Sequence, residues 1–451
     1  MEYRSYDPYR QLLLNQFPVD DNIEPLGFSM AFTEWKALGL EGRMDCFSKL
    51  AIELERSTEE AARLITAEMG KPVVESRQEL MKCINAINSL LLIAPNVLEN
   101  RIIKSEARHS FIKAEPLGLL LAVMPWNFPF WQVLRFAVPN MLAGNTVLLK
   151  HAPNVPGCAM LLQQIFERAG FPPLVFTNRY FSAHGVSTLL SDRLISGFAF
   201  TGSDRTGSLL GGIAGQALKK SVMEMGGNDP MIVFEDADID ESVSAAVASR
   251  CINGGQTCNG AKRFIVQHSI HDMFVKKLIE KVSGLKIGDP MNETNHIGPI
   301  ARFDLLERLR EQFLISVSDG AHVAYIADLD EDSGWFFPPA VLTGVLPGMT
   351  AFEEEIFGPV WSVSRFDTEE DAVHLANLSR YGLGSSIWTD DDQRIERLVN
   401  RLETGNVFIN DFVRSDPSFP FGGVKRSGYG KDLGEQGFLE FVNWKTVYRK
   451  Y

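Results

Sequence analysis

Cysteine is scarce in this chain. Five among 451 residues (Cys46, Cys83, Cys158, Cys251 and Cys258), odd in number and widely spaced, exclude a disulfide framework, and no C-x-x-C pair suggests zinc. The eight histidines include His268 and His271, but no third ligand stands near them in the sequence, so no metal site is expected. A reducing, cytoplasmic location fits this cysteine usage. Positive charge is also short: 44 Lys and Arg against 57 Asp and Glu leave a net charge of −13, which argues against a nucleic-acid partner. Long apolar runs are missing too. The longest, such as Leu117–Met124, are strand-sized, and the first residues lack a basic region followed by an apolar stretch. Neither a membrane partner nor a secretory signal is therefore expected.

What is present is ordinary globular composition, 45% hydrophobic and 22% charged, in a chain too long for one compact core. Two or three domains are the expectation. Apolar residues at helical spacing predict a helix over Ala31–Gly70, stopped by Gly70-Lys71-Pro72, and a second through Met81 to Leu91, ending near Pro95. From Arg101 to Ala122 the pattern turns to β-like alternation with a turn at Pro116 and Gly118. Strands and helices then alternate: Leu119–Met124, Trp131–Leu142, Thr146–Leu149, Pro156–Ala169, Leu194–Phe200 and Asp204–Leu218. The second half repeats the style, with a strand at Met231–Phe234, helices at Ala237–Ile252 and Asp390–Leu402, and a final strand at Phe441–Tyr448. Such alternation indicates an α/β fold with doubly wound parallel sheets, here two α/β domains plus a small β element.

One stretch concentrates chemistry. Gly254-Gly255-Gln256-Thr257-Cys258-Asn259-Gly260-Ala261-Lys262-Arg263 sets a thiol among small and polar residues, with two cations after it. Positive charge favours the thiolate, the form that attacks carbon, although a free cysteine more often packs as a small hydrophobe. Glu224, between Met223 and Met225-Gly226-Gly227, is a candidate general base or a plain loop acid. Asn127 can donate to an oxyanion or cap the helix that follows. Lys150 ends a strand. Gly202-Ser203 opens a helix, where phosphate binds and where simple caps also occur.

Seven motifs together carry more than any one. Leu121 to Pro129 (Leu-Ala-Val-Met-Pro-Trp-Asn-Phe-Pro), Val147-Leu148-Leu149-Lys150, Phe200-Thr201-Gly202-Ser203, Met223-Glu224-Met225-Gly226-Gly227, Gly255-Gln256-Thr257-Cys258, Glu354 to Val360 and Pro420-Phe421-Gly422-Gly423 stand in this order. In order and spacing they resemble the NAD(P)-dependent aldehyde dehydrogenase superfamily, from about Ala31 to the C-terminus. The resemblance implies an aldehyde dehydrogenase-like fold. A Rossmann-like cofactor domain would comprise residues 1–98 and 117–226, a catalytic domain residues 227–430, and an oligomerisation arm residues 99–116 and 438–451. It implies Cys258 as nucleophile, Glu224 as general base and Asn127 as oxyanion donor. Pro125, Trp126, Lys150, Gly202, Ser203, Glu355 and Phe357 would hold NAD or NADP. The activity implied is oxidation of an aldehyde to a free acid through a thiohemiacetal and a thioester. Glu224 speaks for hydrolysis, since branches that pass the acyl group to coenzyme A typically lack it. On this scheme thiol activation falls to Glu224, the local backbone and the cofactor rather than to Lys262 and Arg263.

Within the family, Arg135, eight residues after Asn127, matches an arginine that holds the substrate carboxylate in succinate-semialdehyde dehydrogenases, a task suited to its planar fork. Arg414 and Ser415 lie in the stretch resembling the substrate-lining loop. Succinate semialdehyde is the substrate implied first. Alternatives are an uncharged or aromatic aldehyde, or an inactive cofactor-binding protein on the same scaffold. A structural pairing of Arg135 with a neighbouring acid is the competing role for that residue. Two departures bear on the cofactor. Pro153 stands where NAD-preferring members carry a glutamate, and Phe176 to Phe181 replace a glycine-containing loop. The Arg101–Pro116 ribbon and the last strand resemble the family's oligomerisation arms, implying a homodimer or homotetramer.

Overall fold

The computed structural model describes residues 2–329 and 334–451; residues 330–333, within the expected catalytic domain, lie outside the described residues. The chain opens on a hairpin absent from the sequence reading, in which β1 (Glu2–Asp7) pairs antiparallel with β2 (Leu12–Pro18). Asp7 builds its turn: Oδ1 accepts the N–H groups of Tyr9 at 2.9 Å and Arg10 at 3.0 Å. A short side chain here does the work of a backbone turn.

The single helix expected over Ala31–Gly70 is three helices, α1 (Pro25–Ala37), α2 (Gly39–Arg56) and α3 (Thr58–Met69). One break falls at Gly39, whose φ is +75°. The other falls at Ser57, with Glu59 and Glu60 in the first turn that follows, where acid complements the helix dipole. Gly70 then ends α3 in the left-handed conformation, as its stop signal implied. α4 (Val73–Val97) is long and apolar enough by composition to cross a bilayer. Its buried face, including Leu80, Cys83, Ile87 and Leu90, packs instead into the core formed with α2 and α3.

β3 (Arg101–Ile102) and β4 (His109–Pro116) form the expected ribbon. The alternation expected after it is present. β5 (Leu119–Val123), α5 (Trp131–Leu142), β6 (Thr146–Lys150), α6 (Pro156–Arg168), β7 (Phe176–Asn178), α7 (Ala183–Ser191), β8 (Ile195–Thr201), α8 (Asp204–Gln216) and β9 (Lys220–Glu224) follow in turn. Their strands lie parallel in the order β9-β8-β5-β6-β7. The order reverses between β5 and β8, and the crevice at their carboxyl ends is where such sheets take ligands. Phe176-Thr177-Asn178, read as a loop replacement, is an edge strand paired with Val147–Leu149.

The chain continues through β10 (Pro230–Val233), α9 (Ile239–Cys251), β11 (Arg263–Gln267), β12 (His322–Ile326), β13 (Ala340–Thr343), β14 (Val360–Phe366), β15 (Tyr381–Gly382), β16 (Gly384–Trp388) and β17 (Asn406–Ile409). Seven of these form a second sheet, β12-β13-β14-β11-β10-β16-β17, parallel except at β12. β18 (Val424–Lys425) pairs with β15. β19 (Gly428–Tyr429) returns antiparallel to β9, closing one edge of the first sheet. β20 (Val442–Arg449) pairs with β4 along its whole length. The segments that follow β5 and α9 join: Asn127 Nδ2 donates to the Gln256 carbonyl at 3.1 Å, and Asn253 Nδ2 to the Asn127 carbonyl at 2.9 Å.

Candidate active site

Past α9 the chain turns sharply, with Asn253, Gly254 and Gly255 at φ of 52°, 57° and 79°. A Cβ on Gly255 would run into the Gly358 carbonyl, so this position needs glycine for both its dihedral and its space. The turn delivers Cys258 to a cavity of about 210 Å³ bounded by Phe128, Trp131, Arg135 and Phe421. Lys262 ties the loop down. Its ammonium donates to the carbonyls of Thr257 at 3.0 Å, Cys258 at 2.6 Å and Gly260 at 3.2 Å, and lies 3.5 Å from Glu355 Oε1. Burial pushes the Cys258 thiol up to about 11, while the charges of Arg135 and Lys262 pull it down. Lys262 thus belongs to the thiol's surroundings. Arg263 does not: it donates to the carbonyls of Asn228, Leu375 and Ala376. Cys251 packs at the edge of the second sheet's core.

Glu224 ends β9, fully enclosed. Its Oε2 accepts from Arg135 Nη2 at 3.3 Å, and its Oε1 has no hydrogen-bond partner. Arg135 Nε lies 3.0 Å from Asp432 Oδ2 in an ion pair whose N–H is not aimed at the oxygen. Burial holds both carboxyls above the usual carboxylate range, and the guanidinium between them opposes it. The pairing weighed as a competing role for Arg135 is therefore real, although the residue also lines the cavity.

Asn127 does not cap α5. That helix begins after Phe130, and Glu79 Oε1 accepts the N–H groups of Phe130 and Trp131, both at 2.9 Å. Asn127 instead joins the cysteine loop through Gln256, with its Oδ1 buried and unpaired.

Arg414 and Ser415 line the same cavity as Cys258. Arg414 is half-exposed and paired with Asp411 at 2.5 Å. Ser415 Oγ accepts from Lys82 Nζ at 2.8 Å. Lys82 was missed in the sequence, as were Glu75, Gln78 and Glu79, all of which face the cavity from α4. Their signal was available: four polar residues at helical spacing on a helix read only for its core face.

At the crevice between β5 and β8, Trp126 and Phe357 meet edge-on with ring centroids 6.0 Å apart, next after Pro125 on the chain. Glu355 Oε1 accepts the Gly227 N–H at 3.1 Å. Gly202 donates to the Glu224 carbonyl at 3.0 Å, and a Cβ there would press on the Phe200 ring. Ser203 caps α8 by accepting the Thr206 N–H at 3.4 Å, so its capping role is present. Lys150 ends β6 over the Tyr3 ring at 5.4 Å, and burial brings its pKa down to about 8. Just past the ends of β6 and β7, both amide atoms of Asn154, Asn178 Oδ1 and Arg179 Nε are buried without partners. Two unpaired donors, Asn154 Nδ2 and Arg179 Nε, and the half-buried Lys150 ammonium at the carboxyl ends of parallel strands suit a phosphate-bearing dinucleotide. Pro153 is exposed and contributes no acid. Among the described residues no group of three or more His, Cys, Asp or Glu could hold a metal ion.

Comparison with known proteins places the chain in a family. The model of the aldehyde dehydrogenase family matches residues 29–447. The NAD(P)+ succinate semialdehyde dehydrogenase Sad of Escherichia coli K12 is 43% identical over 93% of this chain and 90% of its own. A probable NADP+ succinate-semialdehyde dehydrogenase of Synechocystis is 42% identical over 92% of each chain. The solved succinic semialdehyde dehydrogenase of Streptococcus pyogenes, in complex with NADP+, superposes with a TM-score of 0.94 at 31% identity over 100% of both chains. The chain belongs to the aldehyde dehydrogenase family and is an enzyme that oxidises an aldehyde with NAD or NADP as its cofactor.

Proposed function

We propose that this enzyme oxidises succinate semialdehyde, or a close ω-carboxylate aldehyde, to the free acid. The observation that carries this reading is the one cavity in which Cys258 is joined by Lys82, Arg135, Arg414 and Ser415, three cations that outnumber the two acids, Glu75 and Glu79, in its lining. The names of the relatives at 42–43% identity point the same way.

Cys258 attacks the aldehyde carbon as the thiolate, which burial disfavours and the charges of Arg135 and Lys262 favour. The oxygen of the thiohemiacetal takes hydrogen bonds from the Asn127 amide and the Cys258 N–H; losing such a donor costs about 10²–10³ in rate. When bound, NAD or NADP would supply the hydride acceptor for the oxidation. A thioester on Cys258 remains. Glu224 takes a proton from water through its unpaired Oε1, and the hydroxide formed releases the acid and frees the thiol. Lys150, Gly202 and Ser203 would hold the adenosine and phosphate half of the dinucleotide. Pro125, Trp126, Glu355 and Phe357 would bound the nicotinamide half.

The same reading assigns residues 1–98 and 117–226 to the cofactor domain, 227–430 to the catalytic domain, and β4 with β20 to an arm that pairs copies of the chain as a dimer or tetramer. A reducing, cytoplasmic compartment suits a free thiol nucleophile. The test is kcat/KM at 340 nm for four-carbon aldehydes with and without an ω-carboxylate, against NAD+ and NADP+. Equal values for charged and uncharged aldehydes would defeat the substrate assignment.

A further inference from the structure

The cavity holds three cationic side chains, and they are not equivalent. Arg135 is already engaged by Glu224 and Asp432. Arg414 is paired with Asp411 and half-exposed, where water weakens any further attraction. Lys82 has no acid within ion-pair distance among the described residues. It donates to the neutral Ser415 hydroxyl at 2.8 Å and stands over the Trp131 ring at 4.2 Å. We propose that Lys82, with Ser415 beside it, is the residue that fixes the distal carboxylate of the substrate and sets the preference for ω-carboxylate aldehydes. The inference rests on the substrate reading above and adds to it a residue on α4.

The charge balance supports it. An ammonium has three N–H donors and no acceptor, and only one donor is used by Ser415. Burial is the main influence on Lys82 and takes its pKa down to about 8; the Arg135 charge acts in the same direction, and Glu79, beyond ion-pair distance, opposes it. With two donors free and no acid in ion-pair contact, the ammonium can be completed by a ligand anion. A carboxylate bound here gains a charge-assisted hydrogen bond in a site screened from water by Phe128, Trp131 and Phe421. Trp131 touches both neighbours: its backbone N–H donates to Glu79 Oε1 while its ring lies under the Lys82 ammonium. The aldehyde end of the molecule is then left for Cys258, which lines the same cavity.

The experiment compares Lys82→Met, Lys82→Arg and Ser415→Ala with the parent enzyme, using succinate semialdehyde and butanal with NADP+. Thermal melting and NADPH binding check that each variant is folded. Lys82→Met is expected to lower the ratio of kcat/KM for the acid over the uncharged aldehyde by about 10- to 100-fold, the size of a lost charged hydrogen bond, and mainly through KM. Lys82→Arg should recover part of that loss. Ser415→Ala, which leaves the ammonium in place, should lower the ratio only several-fold. If the parent favours the acid and both Lys82 variants keep its ratio, the assignment of Lys82 is overturned while the substrate reading stands. A parent with no preference for the acid overturns both. A fall of both substrates together in Lys82→Met, without change in ratio, also overturns it.

Discussion

Arg135 Nη2 lies 3.3 Å from Glu224 Oε2, with both side chains sealed from solvent. A residue matched by family resemblance to substrate recognition is thus tied to the candidate general base. The link changes what substitutions at either position should do.

Glu224→Gln keeps the shape and the Arg135 contact but removes the base. The thioester should form and then persist, with its hydrolysis slowed about 10²–10⁴-fold, the usual contribution of a positioned proton acceptor. Rapid mixing at 340 nm should give a burst of about one NADPH per subunit, the stoichiometry of a single covalent turnover, followed by a slow steady rate. A steady rate like the parent's would remove Glu224 from this role.

Arg135→Gln acts on the base through charge. Burial raises the Glu224 pKa and Arg135 opposes it, so removing the cation lets Glu224 keep its proton to higher pH. The rising acid limb of kcat should move alkaline by about one pH unit or more, equivalent to roughly tenfold at a fixed pH on the limb. Charged and uncharged aldehydes should show the same displacement, since the effect is on water activation. A limb that stays in place, with loss only for the acid aldehyde, would return Arg135 to carboxylate binding alone.

The sequence disclosed the sheets and the chemistry-bearing loops because each has a local signature. Short apolar strands alternate with helices, and Gly254-Gly255 ahead of Cys258 marks the turn that the backbone then makes. It disclosed less where the signal is a contact between distant segments. Arg135 and Asp432 are 297 positions apart, and nothing local to either announces their pairing. Lys82 and Ser415 are a similar case, 333 positions apart. The split of Ala31–Gly70 was legible in Gly39 and in Ser57-Thr58-Glu59-Glu60, but the apolar periodicity runs through both breaks and masks them. The first hairpin was legible only in part. β1 alternates buried and exposed residues, whereas β2 is exposed or half-exposed throughout, so its pattern carries no core face.

Pro153 offers a direct probe of cofactor choice. It is exposed just past β6, close in sequence to Lys150, so a carboxylate there can be introduced without disturbing the core. Pro153→Glu should repel a 2′-phosphate and weaken NADPH relative to NADH by about tenfold, a surface-level like-charge effect. Lys150→Met should weaken both, since it removes a charge common to either dinucleotide. Fluorescence titration of the reduced cofactors without aldehyde measures this. An unchanged NADPH-to-NADH ratio in Pro153→Glu would place the 2′-position elsewhere.

Lys262 should be the residue on which the cysteine loop most depends. Its ammonium serves the carbonyls of Thr257, Cys258 and Gly260 and neighbours Glu355. Lys262→Met retains the volume but leaves three acceptors without a donor and an acid without its cation. Breaking a buried charge contact of this kind costs about 3–5 kcal/mol, to be read as a lower urea midpoint with an unchanged slope. A second readout separates positioning from stability alone. The Lys262 charge pulls the Cys258 pKa down, so its loss should move the pH profile of iodoacetamide labelling at Cys258 to higher pH. A destabilised variant whose labelling profile does not move would leave Lys262 as a brace for the loop with no part in making the thiolate.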